Sequence, residues 1–329
     1  MRLVTWSRDG AAARAGALID GDTRIIDLAA AFEASRSGSA PAAVTSLLAL
    51  IEGGTDALAL TRELVETAPA SAQVARNEVK LLAPLQPPVQ LRDCSCFETH
   101  LRNSFEAARR FKVRKEPDPE AAYQALDTRE SDQVIETFKR QPIYYKANRM
   151  SVVGPDEEVI WPSYSRAMDF ELEWACYIGS KAKDIAAEEA QPYIFGYTIY
   201  NDFSARDAQA LEMTGQLGPA KGKDFDTGNV MGPCLVTADE IPDPYDLTMI
   251  ARVNGEEWGR GTTRDMGWTF EQVIVHISRS ETLYPGEALG SGTVGTGCGL
   301  EQMRYLKPDD VVELEVEKIG ILRSRLVKP

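Results

Sequence analysis

Histidine is scarce in this chain: its 329 residues hold only two, His100 and His276. That count excludes a metal centre built on several imidazoles. Cysteine is also sparse. Cys94, Cys96, Cys176, Cys234 and Cys298 are odd in number and irregular in spacing, with no CxxC pair. Neither a structural zinc site nor a disulfide framework fits, and reduced thiols in a cytoplasmic protein are expected. No apolar run approaches the roughly 20 residues of a membrane span, and MRLVTWSRDG lacks the apolar core of a signal peptide. Net positive charge is missing: 36 basic against 50 acidic side chains leave −14, which repels nucleic acid. The short basic cluster at 109–115 runs into acidic residues and reads as a solvated face. The glycine-rich GTVGTGCG at 292–299 lacks both a following lysine with Ser/Thr and Rossmann spacing. It reads as a tight site-lining loop, not as a nucleotide cradle.

What is present is an ordinary globular composition, 43% hydrophobic and 26% charged, long enough for one large domain and a smaller one. Residues 1–85 read as a small α/β unit. It has strands in MRLVTW, GALID and 23–27, then helices over 27–37, 42–52 and 56–67. The proline-bearing LLAPLQPPVQ at 81–90 is the predicted connector. Over 86–329 strands dominate, at 158–161, 170–178, 196–201, 234–237, 247–253, 288–291 and 311–316. Helices are predicted at 186–192, 204–213 and 269–280. Asn254-Gly255 suits a type I′ hairpin and Pro285-Gly286 a sharp turn. The sum is a β-rich α+β fold. Residues 101–140 are charged and helical in pattern; they are either a surface insertion or a lid.

Three segments carry candidate chemistry. In DFELEW at 169–174, strand alternation puts Asp169, Glu171 and Glu173 on one face and Phe170, Leu172 and Trp174 on the other. Alone this is an amphipathic strand with acids facing water. If the acids are buried, a cation must neutralise them. In NDFSARDAQ at 201–209 an apolar strand ends at Asn201-Asp202, Ser204 is placed to cap a helix, and Arg206 and Gln209 share a helical face. In RDCSCFETH at 92–100, Asp93 and His100 can serve one pocket if the chain turns into a helix between them. A lone histidine is otherwise structural. His276, on a helical pattern with Phe270, Val273, Ile274 and Ile277, reads that way, and Cys94 and Cys96 read as packing residues.

Together, DFELEWACYIG (169–179), FGYTIYNDFSARDAQ (195–209), GKDFDTGNVMGPCLVT (222–237), VNGEEWGRGTTRDM (253–266) and TLYPGEALGSGTVG (282–295) resemble the fumarylacetoacetate hydrolase family, in its order, over roughly residues 86–329. The resemblance implies a mixed β-sandwich roll catalytic domain behind a small N-terminal α/β domain, with 101–145 as a lid or substrate-selecting insertion. It implies a cation held by Asp93, Glu171, Glu173 and Asp202. All-oxygen ligation selects a hard ion, Mg²⁺ first, with Ca²⁺ or Mn²⁺ as alternatives. His100 takes the place of the water-activating base, and Glu301 matches its orienting partner across a loop whose length differs from the family's. In shorter members a glutamate three residues after the histidine has that role; here the position is Asn103. Arg206, Gln209 and Lys223 match substrate-polarising residues, and Thr293 lines the site.

The activity so implied is hydrolysis of a C–C bond in a β-diketo, acylpyruvate-like acid through a metal-stabilised enolate. Histidine supplies a base near neutral pKa and a carboxylate fixes its tautomer. The alternative is a lyase of the same family, an oxo-acid decarboxylase or a 2-oxo-3-deoxy sugar acid dehydratase. A non-catalytic binding protein that keeps the fold is the reading from another class. A small oxo-acid is the expected partner, the homodimer the expected assembly, and neither nucleic acid nor a membrane is expected.

Overall fold

Two sheets sandwich most of the aromatic core. A computed structural model describes residues 1–36 and 38–329. Its larger, 12-stranded sheet runs Gln73–Ala75, Arg24–Asp27, Arg14–Ile19, Arg2–Ser7, Asn229–Thr237, Ile194–Asp202, Leu172–Ile178, Ala288–Gly290, Leu91–Ser95, Ile143–Lys146, with two short strands attached at its side. A 5-stranded sheet of Glu256–Thr262, Thr248–Val253, Val311–Val316, Gly320–Val327 and Glu158–Ile160 faces it. The β-rich α+β expectation holds.

Alternation along the Leu172–Ile178 strand sorts the two cores. Leu172, Trp174 and Cys176 point to the small sheet and the Phe270–Ser278 helix, where the Trp174 and Phe270 rings lie 4.7 Å apart. Ala175 and Tyr177 point the other way, under the N-terminal helices that contribute Leu28, Val44, Leu47, Leu50 and Leu64. Both clusters are buried, so both faces of this strand are held by apolar burial at roughly 25 cal/mol per Å². The N-terminal unit is joined by backbone pairing as well, because Leu3 lies in register with Leu235. The boundary near residue 85 is retained as a proposal, resting on the proline-rich connector.

Several local expectations change in the structure. The predicted 27–37 helix spans Leu28–Ser35 with Asp27 as its cap; Ser37 lies outside the described residues. The 42–52 helix is two pieces, broken at Ser46, whose extended backbone and side chain start the second piece. No α-helix forms over 186–192; two 3₁₀ turns stand there, since Pro192 cannot supply the N–H a longer helix needs. Asn254 and Gly255 both take positive φ and join Thr248–Val253 to Glu256–Thr262, as a type I′ hairpin requires. The 101–140 region folds into helices Glu98–Val113, Pro119–Gln124 and Arg129–Arg140. The last is anchored to the core by Trp268, whose indole N–H donates to the Phe138 carbonyl at 2.7 Å.

Candidate active site: a carboxylate cage beside a histidine–glutamate pair

Register brings four acids onto one face of the large sheet. Glu173 pairs with Tyr200, and Leu172 with Asn201, so Glu171 and Asp202 continue the same rows. Gly290 lies between Ala175 on one side and Asp93 on the other, which puts Asp93 on the face of Glu173. Gly290 must be glycine here: a Cβ would sit 2.5 Å from Asp93 Oδ1 and 2.9 Å from the Tyr200 ring. The result is a cage in which one oxygen from each of Asp93, Glu171, Glu173 and Asp202 lies within 4.8 Å of the others. All four are at least 94% buried, with exposures of 6%, 5%, 0% and 0%.

The third acid of the DFELEW face, Asp169, does not join them. The strand breaks at Phe170, and Met168–Asp169 pairs instead with Ser204–Ala205. Asp169 accepts from the Gly299 and Leu300 amides at 2.8 and 2.9 Å and from Arg206 Nε at 2.8 Å. Ser204, expected as a helix cap, is a strand residue donating to the Asp202 carbonyl, and the Arg206–Met213 helix starts without a side-chain cap.

The cage carries more negative charge than its cations offset. Lys223 Nζ donates to Glu171 Oε2 at 2.5 Å and to Asp202 Oδ2 at 2.7 Å, and Arg206 Nη1 lies 2.8 Å from Glu171 Oε1. Burial works against ionising Glu171, but Lys223 and Arg206 outweigh it and lower its carboxyl to about 2. Burial and the Asp202 charge push Asp93 up to about 8. Burial lifts Asp202 to about 6 against the pull of Lys223. Burial, then Asp93 and Glu171, move Glu173 well above the carboxylate range. Burial also opposes the Lys223 charge, yet Asp202 and Glu171 hold its ammonium above the ordinary range. The acids therefore cannot all ionise at neutral pH without a further cation. Asp202 Oδ1 gives the same signal, being buried with no hydrogen-bond partner among the described residues. Four carboxylates with no imidazole or thiolate fit a hard divalent ion.

Asp93, Glu171 and Glu173 line a cleft of about 440 Å³, together with His100, Gln209, Lys223 and Thr293. His100 sits in the first turn of the Glu98–Val113 helix. Its Nδ1 is 2.7 Å from Glu301 Oε1, although 200 residues separate the two in sequence. The second Glu301 oxygen accepts from Asn103 Nδ2 at 2.6 Å and the Thr296 amide at 2.7 Å. Thr293 Oγ1 reaches Glu173 at 3.4 Å, and the Gly292 amide donates to Glu173 at 3.0 Å and Asp93 at 3.2 Å. Arg206 is not among the residues that line the cleft. Its guanidinium lies behind the cleft wall, shared among Asp169, Glu171 and the Gln209 side-chain carbonyl at 2.9 Å.

Sequence reasoning missed Tyr145, which lines the cleft and donates its hydroxyl to Asp202 Oδ2. Its one signal was alternation in IYYK, too short to rank. It also missed the use of Asn103, which was noticed only as a departure. The five cysteines are free and buried. Cys94 touches the cleft, and its hydrogen bond with Cys96 and its burial raise the thiol well above its usual value, which disfavours the thiolate. His276 is half-buried, edge-on to Tyr144 at 6.4 Å, as a structural residue would be.

The chain is 38% identical over 189 residues to human oxaloacetate tautomerase FAHD2A, mitochondrial, covering 57% of this chain and 60% of that one. It is 38% identical over 189 residues to the rat protein of the same description, covering 57% and 59%. The match thus spans about 60% of the length of these curated relatives. A fumarylacetoacetate hydrolase from Exiguobacterium antarcticum superposes with TM-score 0.73 at 24% identity over 100% of both chains. A maleylpyruvate hydrolase from Sphingobium sp. SYK-6, solved with manganese(II) and pyruvate, gives TM-score 0.71 at 19% identity over 100% of this chain and 99% of that one. Among the described residues, no helix is long and apolar enough to cross a membrane. The profile described as fumarylacetoacetate (FAA) hydrolase C-terminal matches residues 100–327. The chain belongs to the fumarylacetoacetate hydrolase family.

Proposed function

We propose that this chain is a divalent-cation-dependent hydrolase of 2,4-dioxo acids, R–CO–CH₂–CO–COO⁻ + H₂O → R–COOH + CH₃–CO–COO⁻. The observation that carries the reading is the His100–Glu301 pair opening onto the same cleft as the carboxylate cage. A cation held by Asp93, Glu171, Glu173 and Asp202, Mg²⁺ by preference over Ca²⁺ or Mn²⁺, would anchor the 2-oxo-acid oxygens and stabilise charge developing on the departing carbon.

The chain's own residues supply the rest. Glu301 fixes the proton on His100 Nδ1, so Nε2 is the basic nitrogen that takes a proton from water as the oxygen attacks the 4-carbonyl. The same proton then serves the carbon released when the C3–C4 bond breaks. Lys223 and Gln209 are donors for the oxyanion. Arg206 holds the Gln209 carbonyl and so leaves the Gln209 NH₂ free to face the cleft. Thr293 and Gly292 keep Glu173 turned to the cage. The homodimer is proposed with this reading, as is a cytoplasmic location.

The test is incubation of the protein with Mg²⁺ and a panel of 2,4-dioxo acids, following loss of β-diketone absorbance and pyruvate release. Turnover with pyruvate formation is expected, and His100→Ala should lower kcat by about 10²–10⁴-fold. Full activity in that variant would refute the assignment.

The 38% identity to oxaloacetate tautomerases favours a second reading, keto–enol interconversion of a 2-oxo dicarboxylic acid. It needs His100 as a proton shuttle but no attacking water. It is told apart by interconversion of the tautomers without pyruvate release. Decarboxylase action would instead release CO₂.

A further inference from the structure

The cleft is lined by apolar side chains as well as by the acids of the cage. Leu101, Ile143, Met213, Leu217 and Pro219 come from three separate segments. Lys223 is the one Lys or Arg among the described residues that line the cleft, and it sits in the cage against Glu171 and Asp202, where it is assigned to the oxyanion and not to the tail of the substrate. Apart from the acids, His100 and Lys223, the polar side chains lining the cleft are neutral, Ser95, Tyr144, Tyr145, Gln209, Gln216 and Thr293 among them.

Leu217 is the unusual member. It is 99% exposed and Met213 is 51% exposed, although both are large apolar side chains at a cleft. The loop that carries Leu217 is not slack. The Glu212 carboxylate gathers the amides of Ala220, Lys221 and Gly222 at 3.0, 2.6 and 2.9 Å and closes the segment into a compact unit. Gln216 and Gly218 take positive φ on either side of Leu217, which fixes where the loop turns. A built loop thus presents an uncovered apolar group beside the catalytic cleft, and exposed apolar surface of that kind marks a contact site.

We infer that the group R of the substrate is an uncharged, apolar tail lying on Leu217, Met213, Ile143, Leu101 and Pro219, and that a terminal carboxylate on R is rejected. The inference rests on the 2,4-dioxo acid reading and deepens it. A tail carboxylate would lose water without gaining a cation, in a protein of net charge −14. An apolar tail would bury the exposed rim, and that remote binding energy is available to hold the reacting carbonyl in place.

The experiment compares kcat/KM, with Mg²⁺ present, for 2,4-dioxo acids of rising alkyl chain length against counterparts of equal length ending in a carboxylate. The neutral series should be preferred by at least about 20-fold, gaining up to about fourfold per added methylene until the rim is covered. L217R should narrow the preference at least about tenfold by weakening the neutral series and strengthening the charged one. Equal or better use of the carboxylate series, or a preference indifferent to both L217R and M213K, overturns the inference. If neither series is turned over, the hydrolase reading fails, and calorimetric binding of alkyl and tail-carboxylate 2-oxo acids to the Mg²⁺-loaded protein still decides the rim. Tighter alkyl binding that L217R abolishes supports it, and no discrimination overturns it.

Discussion

Asp202 concentrates the chemistry of the cage in one side chain. One of its oxygens accepts from Tyr145 and Lys223, and the other is buried without a partner among the described residues. Asp202→Asn should therefore fold yet lose more than tenfold in Mg²⁺ affinity, read by calorimetry. The raised carboxyls set a pH signature. In the cation-free protein, Asp93 near 8, Asp202 near 6 and the elevated Glu173 keep protons that an unfolded chain releases near about 4. The folded state then binds more protons than the unfolded one across that window, so this contribution to stability falls as pH rises from about 4 to 8. Added Mg²⁺ displaces those protons, and its stabilising effect on Tm should grow from pH 5 to pH 8; a gain that is flat or shrinks would count against the cage. The four acids that the structure brings together and the placing of His100 beside them followed from the family resemblance, which the short motifs carry. Asp169 was misjudged because its fate depends on amides at Gly299 and Leu300, which no local pattern announces.

At the scale of elements, the short Ala288–Gly290 strand is the keystone, antiparallel to Leu172–Ile178 and parallel to Leu91–Ser95. A buried ion pair from Arg92 to Glu287, extended to Glu281 at 2.6 Å, clamps this parallel edge one residue from Asp93. Arg92→Ala leaves Glu287 buried without its partner and should cost about 3–5 kcal/mol in denaturant unfolding, a double change to apolar residues costing much less. Gly290→Ala should leave the strand in place but displace Asp93, weakening Mg²⁺ binding more than global stability. Strands and the Asn254-Gly255 hairpin were readable because alternation and turn chemistry are local. The pairing of residue 93 with residue 290, and the break at Phe170, were not, since a strand's neighbours are chosen by distant hydrogen bonds. The 186–192 region failed for a simpler reason: its alanines favour a helix, and Pro192 breaks it.

For the whole molecule, 50 acidic against 36 basic groups make a field that opposes any anionic substrate. Screening should relieve it, so kcat/KM should rise as ionic strength goes from about 10 to 200 mM, while a pronounced fall would indicate steering by a basic patch. The cage itself draws on residues 93, 171, 173 and 202, and it closes only where the strand at 288–290 inserts between the first of these and the others. A chain emerging during synthesis holds all four of these acids once residue 202 is made, yet it has no finished socket until the 288–290 strand follows, nearly nine-tenths of the way along its length. Ion capture is thus a receipt for completed assembly, and a truncation anywhere before that insertion should yield a protein unable to retain the ion through gel filtration, however well its first strands have formed.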